Sequence, residues 1–305
     1  MMQRPPQLPL RSLLYVPGNK LEWMLKAPKY GADALILDLE DSVPAEQKVA
    51  SRAVIRQAIN DLGKQARPRL FVRVNSLPTG LTEADVEAVM GPGLFGVYLP
   101  KAEEPDEISR VAGWLDQLEA RLGMPAGQVF IRPMLENAKG IQNAYAIAQA
   151  SPRVAYLGTG GSGHGDIARS LGYRHREAML ESLFIRSKVL LEARAADITN
   201  PIAGLFANIR DLEGLRAYAE RERDLGYMGM HLIHPSQVVV ANEVFRPSPA
   251  DVERWRGLVE AVEAGQRQGT AAVVYQGEMV DIAHLTYAQQ MLALAEEYEA
   301  LSGRV

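Results

Sequence analysis

One rhythm constrains this chain more than any other feature. Eight short apolar, β-rich runs recur along it, each followed by a turn and a longer helical pattern. The runs are S-L-L-Y-V (12–16), A-L-I-L-D-L (34–39), L-F-V-R-V (70–74), G-V-Y-L-P (96–100), V-F-I-R-P-M (129–134), V-A-Y-L-G (154–158), I-A-G-L-F (202–206) and H-L-I-H (231–234). Helical stretches such as E-A-D-V-E-A-V-M and E-I-S-R-V-A-G-W-L-D-Q-L-E-A-R-L lie between them. Strands that alternate with helices pair in parallel, because each helix carries the chain back to the start of the next strand. Eight such units predict an α/β fold, a (β/α)8 TIM barrel, over residues 1–245. A doubly wound open sheet is the competing arrangement. It usually has fewer strands, and the first turn, V-P-G-N-K, lacks a G-x-G-x-x-G. After residue 245 the rhythm stops. R-P-S-P-A-D starts a helix with Ser248 or Asp251 as its cap. A hairpin over A-A-V-V-Y-Q-G-E-M-V-D and a last helix from about 285 to 301 follow. Residues 246–305 therefore form a C-terminal helical extension that packs on its own barrel or on a neighbouring subunit.

Charge and cysteine usage narrow the function. The formal net charge of -4 gives no basic field for nucleic acid or an anionic membrane. A small anionic ligand needs only a few local cations and stays open. The chain has no cysteine, so disulfides, thiolate metal sites and a cysteine nucleophile are excluded. No run approaches the ~18 to 20 apolar residues of a membrane span. The N-terminal residues carry no signal-peptide pattern. A soluble, cytoplasmic protein is expected.

In parallel barrels the chemistry sits at the C-terminal ends of the strands. The second run ends in Asp38, Glu40 and Asp41, and the third carries Arg73 and Asn75. The fourth ends in Lys101 and the fifth leads to Glu136. The sixth enters G-T-G-G-S-G-H-G-D, which supplies His164 and Asp166, and the eighth ends in His234. A single acid at a strand end is either a cap, an ion-pair partner or a ligand. Several acids facing one mouth repel each other unless a cation sits among them. All-oxygen donors favour a hard ion, Mg²⁺ or Mn²⁺. The glycines before Asp166 either cradle an anion or permit tight turns. His164 is a ligand, a base or a solvated loop residue, and His234 is expected to be a hydrogen-bonded structural histidine.

R-S-L-L-Y-V-P-G-N (11–19) and G-A-D-A-L-I-L-D-L-E-D-S-V (31–43), with Lys48 and Arg52 after them, resemble the citrate lyase β-subunit-like family of the HpcH/HpaI aldolase superfamily, which includes malyl-CoA and citramalyl-CoA lyases. The likeness continues in order through V-R-V-N (72–75), L-P-K (99–101), P-M-L-E-N-A-K-G (133–140), G-H-G-D-I-A (163–168) and I-H-P-S-Q-V (233–238). It reaches Q-G-E-M-V-D (276–281). The resemblance implies a barrel enzyme, a homotrimer or hexamer, that makes or breaks a carbon–carbon bond beside a carbonyl. It places a metal on Glu136 and Asp166, with Glu40 and Asp41 near the metal's waters. It gives Arg73 the substrate's carboxylate or carbonyl oxygen, and Asp281 a proton-handling role in a neighbour's site. By position, Arg11 and Lys20 are candidates for the phosphates of a CoA carrier. Two departures bear on the substrate: Met230 replaces a lysine that is common before I-H-P, and His164 is added to the glycine-rich run.

The implied function is a Mg²⁺-dependent lyase acting on a carboxylate-bearing 3-hydroxy-acyl-CoA. The alternatives are a metal-dependent aldolase on free 2-oxo or 2-hydroxy acids without CoA, and a catalytically silent metabolite-binding member.

Overall fold

The computed structural model describes residues 7–65, 67–160, 165–176 and 179–302. Seven strands form one parallel sheet: β1 (Ser12–Pro17), β2 (Ala34–Asp38), β3 (Arg69–Arg73), β4 (Gly96–Leu99), β5 (Phe130–Pro133), β6 (Ile202–Ala203) and β7 (Gly229–Leu232). Their order is β5-β4-β3-β2-β1-β7-β6. Ala34–Asp38 is buried throughout, as a strand covered on both faces requires. The sheet curls. Tyr98 of β4 and His231 of β7 have ring centroids 5.6 Å apart, although their strands stand four places apart. In a flat sheet those strands would lie roughly 19 Å apart.

Alternation along the strands sets the enclosed face. Leu13, Ile36, Phe71, Tyr98, Phe130 and Met134 join Tyr156 and Ile202 in one buried cluster. Its rings meet edge to face, as Phe71 does with Tyr98 and Tyr156. The sixth apolar run does not form a ladder. Val154 makes a single parallel bridge to Ile131. The Ile131 N–H donates to the Arg153 carbonyl at 2.8 Å, and the Ile202 N–H donates to the Leu157 carbonyl at 2.9 Å. The segment therefore bonds to both β5 and β6, the two edge strands.

The helix Pro105–Leu122 shows why the connecting segments fold as they do. Its buried positions Ile108, Val111, Ala112, Leu115 and Leu118 form one stripe. Glu107 accepts from the backbone N–H groups of Glu103 and Glu104 at its start, and Gly123 ends it in the left-handed region. No helix among the described residues is long and apolar enough to cross a membrane.

The chain divides into two compact units, Met1–Glu243 and Val244–Val305. In the second, Ser248 and Asp251 together form a reciprocal cap on the helix Pro249–Arg267. Strands β8 (Val273–Tyr275) and β9 (Glu278–Val280) pair across Gln276-Gly277, both at positive φ, as a tight hairpin turn demands. Leu258, Val262, Val280, Leu285 and Ala288 form the core of this unit, and the helix Ile282–Ser302 completes it.

Candidate active site

The three acids after β2 have different fates. Asp38 is 1% exposed, and the Arg73 guanidinium grips it with Nε–Oδ1 and Nη2–Oδ2 both at 2.7 Å. Asp38 also accepts the backbone N–H groups of Glu40 and Ser42, which fixes the turn. Burial alone would raise its pKa, but the bonds and charge of Arg73 outweigh burial and hold it below the usual carboxylate range. Glu40 is buried and takes the Lys101 ammonium at 2.9 Å. Arg73 Nη1 lies 2.9 Å from Glu40 Oε2, a charge contact without hydrogen-bond alignment. Burial pushes the Glu40 carboxyl up, and the two cations offset this only in part. Asp41 is exposed, 3.3 Å from Arg73. Asp38 and Glu40 thus find their counter-charges in Arg73 and Lys101 and need no metal for compensation. Arg73 also lies over Tyr15, 5.0 Å from the ring centroid.

Lys101 ties this group to Glu136. Its backbone sits at φ 55, a conformation a side chain other than glycine adopts at a cost. That pose aims its N–H at Glu136 Oε2, 3.1 Å away, while its ammonium reaches Glu40. Burial first, then the nearby charges of Glu40 and Asp166, push Glu136 up to about 7, against a smaller opposing effect of Arg73. Glu136 therefore has negative neighbours and too little positive charge of its own. Asp166 begins the helix Asp166–Leu171 and accepts from Arg169 at 2.6 Å. Both acids line a cavity of about 150 Å³ with Tyr15, Arg132, Thr159 and His231.

Gly158 and Gly160, in the run before Asp166, act through the backbone. A Cβ on Gly158 would meet the Ile202 carbonyl oxygen at 1.9 Å, and one on Gly160 would meet the Cα of Gly204 at 2.6 Å. They let this segment press against the end of β6. His164 lies outside the described residues.

Arg11 is a correction. It stands before β1, at the opposite end of the strand from the acids. Its Nε and Nη2 hold Asp33 at 2.9 Å each, and Arg67 joins the same carboxylate. It is a buried structural pair and not a phosphate ligand. Lys20 is exposed in the loop after β1. The helix Leu21–Lys26 that follows lines a groove of about 500 Å³ with Trp23, Lys26, Lys29, Tyr30 and His234. Tyr15 lines both this groove and the cavity. His234 accepts from or donates to Ser236 at 2.8 Å, the local structural bond expected of it. In the second unit, Asp281 caps the last helix through the Ala283 N–H and pairs with His284 Nδ1 at 2.7 Å. That hydrogen bond is the main reason its carboxyl lies below the ordinary value. The sequence reading missed His284, although an Asp-x-x-His spacing at a helix start carries the signal. It also passed over Arg132, whose place between Phe130 and Met134 on the enclosed face could have been read from alternation.

The HpcH/HpaI aldolase/citrate lyase family profile matches residues 11–235. The chain is 38% identical to the citrate lyase subunit beta-like protein of Deinococcus radiodurans, over 96% of this chain and 99% of that one. It is 36% identical to the (3S)-malyl-CoA thioesterase of Cereibacter sphaeroides, over 96% of both chains. Among solved structures, the CitE protein of Mycobacterium tuberculosis, in complex with magnesium, acetoacetate and coenzyme A, superimposes with a TM-score of 0.73. It is 30% identical, over 95% of this chain and 98% of that one. The chain belongs to the HpcH/HpaI aldolase/citrate lyase family.

Proposed function

We propose that this family member, a carbon–carbon lyase, cleaves a 3-hydroxy-acyl-CoA that bears a carboxylate, of the malyl-CoA or citramalyl-CoA kind, with Mg²⁺. We read segment 154–158 as the stave that closes the sheet into a (β/α)8 barrel, and the working enzyme as a cytoplasmic homotrimer or hexamer. The observation that carries the reading is the pairing of Glu136 and Asp166 in one cavity, each raising the need for positive charge there.

These two carboxylates suit Mg²⁺, a hard ion that accepts one or two protein carboxylates and keeps several waters. Among the described residues no group of three or more His, Cys, Asp or Glu side chains gathers at one point, so the ion would rest on this pair. When bound, Mg²⁺ would polarise the oxygen at which the carbonyl forms. The chain's own residues supply the rest. Lys101 and Arg73 hold Glu40 and Asp41 beside the pair, as acceptors for water. In cleavage the hydroxyl proton passes to a water held by Glu40 and Asp41, and the C2–C3 bond breaks. Its electrons pass to the thioester enolate, and the enolate carbon gains a proton. Asp281 of a neighbouring subunit, in its protonated form, is assigned the delivery of that proton, and in the reverse direction its carboxylate is the base, which the pairing with His284 keeps ionised. The groove beside Tyr15 suits the CoA carrier: Trp23 and Tyr30 offer flat faces to a base, Lys26 and Lys29 offer cations to phosphates, and exposed Lys20, outside the groove lining, is a further candidate by its place in the loop after β1.

A second reading comes from the thioesterase relative. In it, water attacks the thioester carbonyl, and the products are a hydroxy diacid and free CoA. Metal binding tests the shared part of both readings. Titration calorimetry with Mg²⁺ should show one site that Glu136→Gln and Asp166→Asn each remove, with circular dichroism unchanged. Undiminished Mg²⁺ binding in both variants would overturn the assignment.

A further inference from the structure

Five arginines of the described chain are buried: Arg11, Arg73, Arg132, Arg153 and Arg186. Four are paired. Arg11 holds Asp33, Arg73 holds Asp38, Arg153 holds Asp116 and Glu119, and Arg186 holds Glu222. Arg132 is the exception. It is 3% exposed, and among the described residues no carboxylate lies within ion-pair distance. Of its five N–H donors one reaches an acceptor among the described residues, the Gly158 carbonyl at 3.2 Å. Its Nε has no hydrogen-bond partner among the described residues. Its guanidinium lies over Tyr98, 5.1 Å from the ring centroid. The neighbouring His231 gives no negative charge. Its Nδ1 faces the Ala203 carbonyl and its Nε2 the Tyr98 hydroxyl, and burial followed by the charge of Arg132 keeps it neutral.

A buried cation without a counter-charge is costly unless something supplies the anion. Arg132 lines the same cavity as Glu136 and Asp166. A divalent ion on the two carboxylates would answer their charge, and Arg132, the one Lys or Arg among the described residues lining the cavity, would keep its positive charge without an anion. Arg73 cannot serve the same purpose freely, because its fork is spent on Asp38. We infer that Arg132 receives the carboxylate of the small-acid half of the substrate, through the planar fork that carboxylates match. This rests on the lyase reading for the identity of the acid, but the binding itself does not depend on turnover.

The test uses pyruvate, glyoxylate and acetate as anionic probes and pyruvamide as a neutral one, each titrated with Mg²⁺ present. Arg132→Met should weaken the anionic probes about 10- to 100-fold, the range for hydrogen bonds to a charged group, and leave pyruvamide unchanged. Arg132→Lys should recover part of the loss. Without ligand, the melting temperature of Arg132→Met should equal or exceed that of the parent, because an uncompensated charge has been removed. Equal weakening of pyruvate and pyruvamide would overturn the inference. So would unchanged affinity for the anions, a lower melting temperature with unchanged affinity, or a parent protein that binds none of the anions. Failure of thioester cleavage with Arg132-dependent anion binding would instead count against the lyase reading alone.

Discussion

Arg73→Met removes the cation that compensates Asp38, and its cost can be worked from the pair. Asp38 is almost wholly enclosed and the Arg73 side chain is 11% exposed, so solvent screens this pair little. Breaking a buried ion pair by removing one partner costs about 3–5 kcal/mol, since a charge is left behind. Glu40 loses a cationic neighbour as well. The cost depends on pH. In the parent chain Asp38 titrates below its ordinary value, so the stabilisation from the pair is fully present above roughly pH 4 and is lost as pH falls through the folded value. In the variant Asp38 is buried without its partner and titrates above the ordinary value. Its penalty is therefore full at neutral pH and shrinks toward pH 4, where the carboxyl is protonated. What remains there is the loss of the parent's charge-assisted bonds to Asp38 and of the ring contact, about 1.5–3 kcal/mol, smaller than at neutral pH. Urea unfolding of both proteins at pH 7.5 and near pH 4 measures this. A stability loss that is equal at the two pH values, or under about 1 kcal/mol at pH 7.5, would refute the view that Arg73 is spent on Asp38.

Four further outcomes are expected. Mixing Glu136→Gln chains with Asp281→Asn chains should restore part of the activity that each lacks alone; no recovery after proven subunit exchange would remove Asp281 from a shared site. His284→Ala removes the hydrogen bond that holds Asp281 low, so in the condensation direction, where Asp281 is the base, the acid limb of the pH–rate profile should move to higher pH, and an unmoved limb would free Asp281 from that role. Trp23→Ala and the double change Lys26→Ala/Lys29→Ala should each raise KM for a CoA thioester roughly tenfold, equivalent to ~1.4 kcal/mol, with pyruvate affinity unchanged. Gly158→Ala forces the backbone away from Ile202, and should lower stability by about 1–3 kcal/mol as overpacking does, which a urea titration would show.

Most of the strands were legible because a strand covered on both faces must be an unbroken apolar run, and such runs are easy to see. The acids at their tips were legible for the same reason, as polar residues that interrupt the pattern where a loop must begin. The structure differs where bonding depends on distant partners. The run 154–158 makes one bridge and single hydrogen bonds to each side, with Gly158 and Gly160 allowing a close approach to β6 that no local pattern announces. The last strand starts at Gly229, earlier than the apolar run suggests, because Met230 pairs with Ser12. Asp38 reads as a mouth residue until Arg73, 35 positions away, is seen to claim it. Arg11 has the composition of a phosphate ligand, but its position before β1 puts it beside Asp33 at the other end. Charge type is written in the sequence, whereas the partner is a property of the fold.

Mg²⁺-dependent cleavage of a carbon–carbon bond in a carboxylate-bearing acyl-CoA can be followed through its products. The most direct measurement incubates the purified protein with malyl-CoA and with citramalyl-CoA, with and without Mg²⁺, beside free malate and citramalate, and follows oxo acid and free CoA separately. A carbon–carbon lyase should release oxo acid from the thioesters alone, in the presence of Mg²⁺, without free CoA. Free CoA and hydroxy diacid without oxo acid would contradict it in favour of thioester hydrolysis, and oxo acid from the free acids would contradict the need for the carrier.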